Sequence, residues 1–135
     1  MKIDQDYLKR LLEIAQRSPR PTFTIEDFDE AGVPHDTDVF EFHMQILNEQ
    51  RLIVQDDGDY GFGMVKSIDG FRSWSVLPLR LSAEGHEFIE ALENVDVWTT
   101  IKRDFGEASV KTLKDVGLQL LEGYVKKKVN GLIGD

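Results

Sequence analysis

The sequence of 135 residues contains no cysteine. Disulfides, thiolate nucleophiles, cysteine-ligated zinc and iron–sulfur clusters are therefore excluded. It also lacks any apolar run near the roughly 18 residues that a membrane span requires. Met1 to Asp6 leads into a charged helical pattern, with no apolar core of a signal peptide. A cytoplasmic location without membrane contact is expected. Basic residues are scarce as well: 16 Lys and Arg stand against 25 Asp and Glu, for a net charge of -9. A generic nucleic-acid coat needs the opposite balance, because cations must displace the counterions of the phosphates. What is present is a globular composition, 41% hydrophobic and 30% charged, in a length that suits one domain.

Leu8, Leu11, Leu12 and Ala15 recur at helical spacing behind Asp4, a candidate N-cap. Ser18-Pro19-Arg20-Pro21 stops that pattern, so a helix is expected over about residues 4–17. Thr24 opens a second, short helix with acids in its first turn, Phe23 and Phe28 are placed to staple it, and Gly32 ends it. A third starts after Asp36 or Thr37, giving a helix-turn-helix. On that third helix Val39, Phe40, Phe42, Ile46 and Leu47 form a broad apolar face with His43 in its middle. A hydrogen-bonded core histidine, rather than a metal ligand, is the expected role of His43. Asp38, Glu41, Gln45, Asn48 and Glu49 occupy the other face. In a DNA-binding helix-turn-helix this face enters the major groove. Here it offers three carboxylates and no Lys or Arg, so it repels phosphate and lacks the Arg-to-guanine contact.

Arg51 to Gln55 reads as a strand, Asp56-Asp57-Gly58-Asp59 as a turn, and Met64 to Ile68 as a second strand. Asp69-Gly70 is a hairpin signal, and Phe71 to Leu81 continues extended, with a break at Pro78. Three helices followed by a small antiparallel sheet follow the winged-helix order. The wing, residues 56–75, supplies Lys66 and Arg72 and the aromatics Tyr60, Phe62, Phe71 and Trp74, which are expected to cover sheet and core. Lys66 and Arg72, with Gln45 and Asn48, are the candidate nucleic-acid contacts. Two cations supply little counterion release.

Ser82 caps the next helix, which carries Gly85, Phe88, Ile89 and Leu92 at helical spacing and ends at Asn94. Asp96 is read as the cap of another, and Phe105-Gly106 as a break. A last helix is expected from about Glu107 to Asn130, with Val110, Leu113, Gly117, Leu120, Leu121, Tyr124 and Val125 along its stripe. Lys126-Lys127-Lys128 suit a helix C-terminus. The stripe outruns a minimal winged helix, so it packs back on the domain or pairs with a second chain. Leu113, Leu120, Leu121 and Tyr124 are the candidate dimer contacts. The expected division is a winged-helix domain over 1–94 and a helical extension over 95–135. Residues 1–98 carry 9 basic and 20 acidic residues and residues 99–135 carry 7 and 5, so the acidity lies in the winged-helix part.

Motifs for chemistry fail in turn. His86 and Glu90 are one helical turn apart but lack a third ligand at a recognisable spacing. A calcium loop begun at Asp57 would put Ile68 where a bidentate Glu belongs. Gly61 and Gly63 lack the third glycine and the helix start of a phosphate cradle. No serine sits in a nucleophile elbow. No catalytic residue, cofactor or metal is expected, and a small hydrolase or metal enzyme ranks last.

Three stretches together resemble a known family. They are Asp6-Tyr7-Leu8 to Glu13-Ile14, then Phe42-His43-Met44-Gln45-Ile46-Leu47 running into Arg51-Leu52-Ile53, and most specifically Leu79-Arg80-Leu81-Ser82-Ala83-Glu84-Gly85-His86-Glu87-Phe88-Ile89 followed by Val97-Trp98. The chain resembles, over nearly its whole length, an uncharacterised bacterial and prophage family, the domain of unknown function numbered twenty-five-thirteen. The resemblance implies a winged-helix fold and no activity, and it gives His43 and His86 positions without roles. The fold expected is α+β, mainly α: a winged helix with a C-terminal helical extension. The function expected is that of a non-enzymatic interaction or regulatory protein, prophage-associated, acting through a protein partner or self-association. The alternative is a sequence-specific DNA-binding regulator, opposed by the acidic third helix.

Overall fold

A computed structural model describes residues 1–134. Six helices and four short strands are present among them, and the chain divides into two compact units, Met1–His86 and Glu87–Asp135. The division falls within a helix, eight residues before the boundary expected after Asn94.

The first unit begins with α1, Gln5–Gln16, capped by Asp4, whose side chain accepts from the Tyr7 N–H. Next comes α2, Ile25–Glu30, where Thr24 and Asp27 form a reciprocal capping box. Phe23 and Phe28 meet edge to face at 5.5 Å, as the staple predicts. Thr37 caps α3, Asp38–Glu49. Four strands follow: β1 Ile53–Gln55, β2 Met64–Lys66, β3 Arg72–Trp74 and β4 Leu79–Leu81. β1 pairs antiparallel with β4, setting Ile53 against Leu81, and β2 pairs with β3 around the Asp69-Gly70 turn. Phe23 adds a single bridge to Leu79. Leu8, Leu11, Leu12, Phe28, Phe40, Met44, Leu47 and Leu52 fill the core beneath these strands.

The third helix corrects the expected face. Phe40, His43, Met44 and Leu47 are buried, and Val39, Phe42 and Ile46 are only half-buried. The buried stripe is turned toward Met44, and Asn48, one turn further along, comes with it. The first strand starts two residues later than expected. Arg51 has φ 59°, in the left-handed region. It closes α3 as a Schellman turn, with Leu52 N–H donating to Leu47 O at 2.9 Å and Arg51 N–H to Asn48 O at 2.9 Å. A glycine is usual at such a position. Here the side chain compensates: its Nη2 donates to Gly58 O at 2.6 Å and its guanidinium lies 4.3 Å from the Tyr60 ring.

The specific motif Leu79 to Phe88 has a packing reason. Ser82 Oγ accepts from the Gly85 N–H at 3.0 Å and so caps α4, Ala83–Glu93, and the Ser82 N–H donates to Leu52 O at 3.0 Å. A Cβ at Gly85 would stand 2.2 Å from that same Leu52 oxygen. Glycine is required where α4 starts against the chain leaving α3.

The second unit holds the rest of α4, then α5 Val95–Asp104 and α6 Val110–Ile133. Asn94, not Asp96, caps α5, accepting from the N–H groups of Asp96 and Val97. Ser109 caps α6, whose first residue, Val110, comes three residues later than the expected start at Glu107. Gly117 lies within 3.6–3.9 Å of Ala91, Ile101 and Phe88, so α6 packs closely on α4 and α5 at that point.

Candidate interaction face on the third helix

Asp38 and Glu41 are three residues apart on the outer side of α3, and Lys66 and Arg72 are cross-strand partners on the β2–β3 hairpin. The fold brings the two pairs together. Arg72 Nε donates to Glu41 Oε1 at 3.0 Å, and its Nη2 reaches Glu41 Oε2 at 3.1 Å and Asp38 Oδ1 at 2.5 Å. Lys66 Nζ lies 3.9 Å from Glu41 Oε1. This is the bidentate fork that arginine makes with a carboxylate. The hydrogen bonds that Arg72 donates to Glu41 and then to Asp38 hold its guanidinium above its ordinary pKa. Two like charges directly across a ladder repel each other. Glu41 lies between these two and offsets that repulsion.

The hairpin is also pinned by its aromatics. Trp74 packs 4.9 Å from His35, 5.9 Å from Phe40 and 6.2 Å from Phe62, measured between ring centroids. His35 is held in turn by Asp29, whose carboxylate lies 2.8 Å from Nδ1 and accepts the His35 backbone N–H at 2.9 Å. Of the four wing aromatics, Phe62 and Trp74 therefore cover the core. Tyr60 and Phe71 do not; both are exposed, as are Val65 and Ile68 near the turn.

The four candidate nucleic-acid contacts fare differently. Lys66 and Arg72 face the carboxylates of α3. Asn48 is corrected outright: it is buried, its Nδ2 donates to Ile53 O at 3.0 Å and Gly61 O at 3.3 Å, and its Oδ1 accepts the Gly61 N–H at 2.9 Å. Its amide pins the 56–63 loop to α3 and has nothing left for a base. Gln45 is exposed on the outer face of α3, beside Glu49 and the half-buried Phe42 and Ile46, and Lys66 is exposed on the hairpin. The arginines of the first unit all have internal partners. Arg10 reaches Ala31 O, Arg17 Glu13, Arg20 Asp27, Arg51 Gly58 O and Arg80 Asp56 O, and Arg72 is held as described.

His43 has the role expected of it. Its Nδ1 donates to Val39 O at 2.8 Å and its Nε2 accepts the Asp4 N–H at 2.9 Å, which assigns the neutral tautomer. Burial pushes its pKa below the ordinary histidine value. His86 and Glu90 are both exposed, and among the described residues no group of three or more His, Asp or Glu is placed to hold a metal. Among those residues no helix is long and apolar enough to cross a membrane.

In the second unit, Leu113 is corrected as a dimer contact, because it is buried with Val110 and Gly117 in the unit's own core. Leu120 and Leu121 are half-buried and Tyr124 is 38% exposed. Val125, Val129, Leu132 and Ile133 are also exposed, and a single stripe drawn from Val110 to Val125 misses the last three. Comparison of the chain with known protein families, with curated proteins and with solved structures finds no match.

Proposed function

We propose that this chain is a non-enzymatic interaction or regulatory protein of winged-helix type, prophage-associated, whose α3 face meets a protein rather than DNA. The winged-helix reading is supported by the order of three helices, β1, a hairpin and β4, and by Phe23 bridging to β4 as a first short strand. The prophage association rests on the family resemblance. The observation that carries the function is the Arg72 fork on Glu41 and Asp38. It draws Arg72 onto α3, with Lys66 still exposed 3.9 Å from Glu41, and leaves Asp38, Glu49, Gln45 and partly exposed Phe42 and Ile46 facing out. Apolar groups rimmed by polar ones suit a protein surface, whereas DNA demands unpaired cations.

The alternative, a sequence-specific DNA-binding regulator, is favoured by one observation, the exposed Gln45 on the helix that would enter the groove. A mobility-shift titration with mixed-sequence duplex at low salt separates the two. No shift is expected, and affinity capture from nuclease-treated host lysate should recover a protein that is lost with Phe42→Ala plus Glu49→Lys. A salt-sensitive shift abolished by Lys66→Glu with Arg72→Glu would overturn the proposal.

A further inference from the structure

Two apolar stripes run along α6. Val110, Leu113 and Gly117 are buried in the second unit. Leu118, Leu121, Val125, Val129 and Leu132 lie about a quarter turn away, within a sector of about 80° at 100° per residue. Along this second stripe Leu118 and Leu121 are half-buried, while Val125 is 53% exposed, Val129 44% and Leu132 78%. From Glu122 to Gly134 every residue is exposed. That stretch includes Gly123, Gly131, Val125 and Val129, all weak helix formers. A helix of this length without packing is marginal in water. It continues to Ile133 all the same, which is the behaviour of a segment with a partner for its apolar side.

The stripe is self-complementary when reversed. Set antiparallel about Val125, it opposes Leu118 to Leu132, Leu121 to Val129, and Val125 to its own mate. Glu122 and Lys126, 3.2 Å apart within one chain, lie along one edge of the stripe. A two-fold axis brings that same edge of both copies together, so Glu122 of each meets Lys126 of the other. Parallel pairing would stack the Lys126-Lys127-Lys128 run on itself. We infer that the distal half of α6, from Leu118 to Leu132, is a self-association surface that pairs antiparallel with α6 of a second copy. It uses α6 alone and stands apart from the function proposed for the first unit. Four turns of helix per copy make a small interface, so the association is weak and concentration-dependent.

Sedimentation of the full chain up to about 0.1 mM tests this. The mass should rise toward twice the 15.4 kDa of one chain, and Val125→Glu, which sets two carboxylates face to face at an exposed site, should return it to one chain with unchanged circular dichroism. The absence of native cysteine makes orientation readable by oxidative cross-linking. Val125→Cys should link to itself, and Leu118→Cys should link to Leu132→Cys. A monomer at every concentration, whether or not it binds anionic phosphatidylglycerol vesicles or another protein, overturns the inference. So does a dimer indifferent to Val125→Glu, or self-linking by Leu132→Cys alone.

Discussion

The outer faces of α3 and α6 look alike in composition, each mixing charge with aliphatic groups, yet the fold treats them oppositely. On α3 the charges nearest the N-terminus are taken up by the protein's own hairpin, and the amide of Asn48 by its own loop. On distal α6 the lysines and aliphatic residues stand exposed over more than three turns. A face is open to a partner according to what the rest of the chain lays on it, and composition alone does not report that.

The sharpest test of this contrast compares two glycines. Gly85→Ala should cost about 3 kcal/mol or more, because its Cβ would stand 2.2 Å from Leu52 O and neither backbone can yield. Urea denaturation measures it, and a loss below about 1 kcal/mol would mean that α4 shifts freely. Next in size, Asn48→Ala should cost about 2–3 kcal/mol by leaving the Gly61 N–H and the Ile53 carbonyl without their partner. A cost near zero would return Asn48 to the outer face as a free group.

A smaller effect is expected from acid. The folded protein holds His43 neutral, with a pKa below the ordinary value, so the unfolded chain binds more protons. The contribution of His43 is therefore present above about pH 6.5 and is lost as pH falls through the folded-state pKa. Thermal midpoints taken from pH 7 down to pH 5 should decline, and the decline should flatten in His43→Gln. The least effect, with opposite sign, is expected at Gly117→Ala. Its Cβ would meet Ala91, Ile101 and Phe88 at ordinary contact distances of 3.6–3.9 Å. The helix should gain about 0.5–1 kcal/mol from the better helix former. A loss there would show α6 packed as tightly as the start of α4.

Local signals are legible in the residues themselves. Asp4, Thr24, Thr37 and Ser82 cap helices because a side-chain oxygen needs only the N–H two or three residues on. The same rule misplaces the start of α5, since Asn94 and Asp96 both fit it and only geometry chooses Asn94. The site is less legible. Gln45 reads as outward and is so. Asn48 reads as outward too, because the apolar pattern points to Phe42 and Ile46, whereas Met44 and Leu47 set the buried side. Arg72 meets Glu41 across 31 residues, and a contact at that separation leaves no trace in periodicity. A clue exists nevertheless: pairing about Asp69-Gly70 sets Lys66 beside Arg72, and such a pair requires a carboxylate nearby.

The sequence by itself determined the helices, the caps of the first four, the hairpin turn, the absence of thiol chemistry and the concentration of acid in residues 1–98. These follow from interactions within a few residues or from counting. The tertiary structure decided which charges pair with one another, which amide is buried, why Gly85 is a glycine, and where the apolar face of α6 leaves the core and turns to solvent. Those depend on backbone segments far apart in the chain approaching within a few ångströms, and only the folded packing sets those distances.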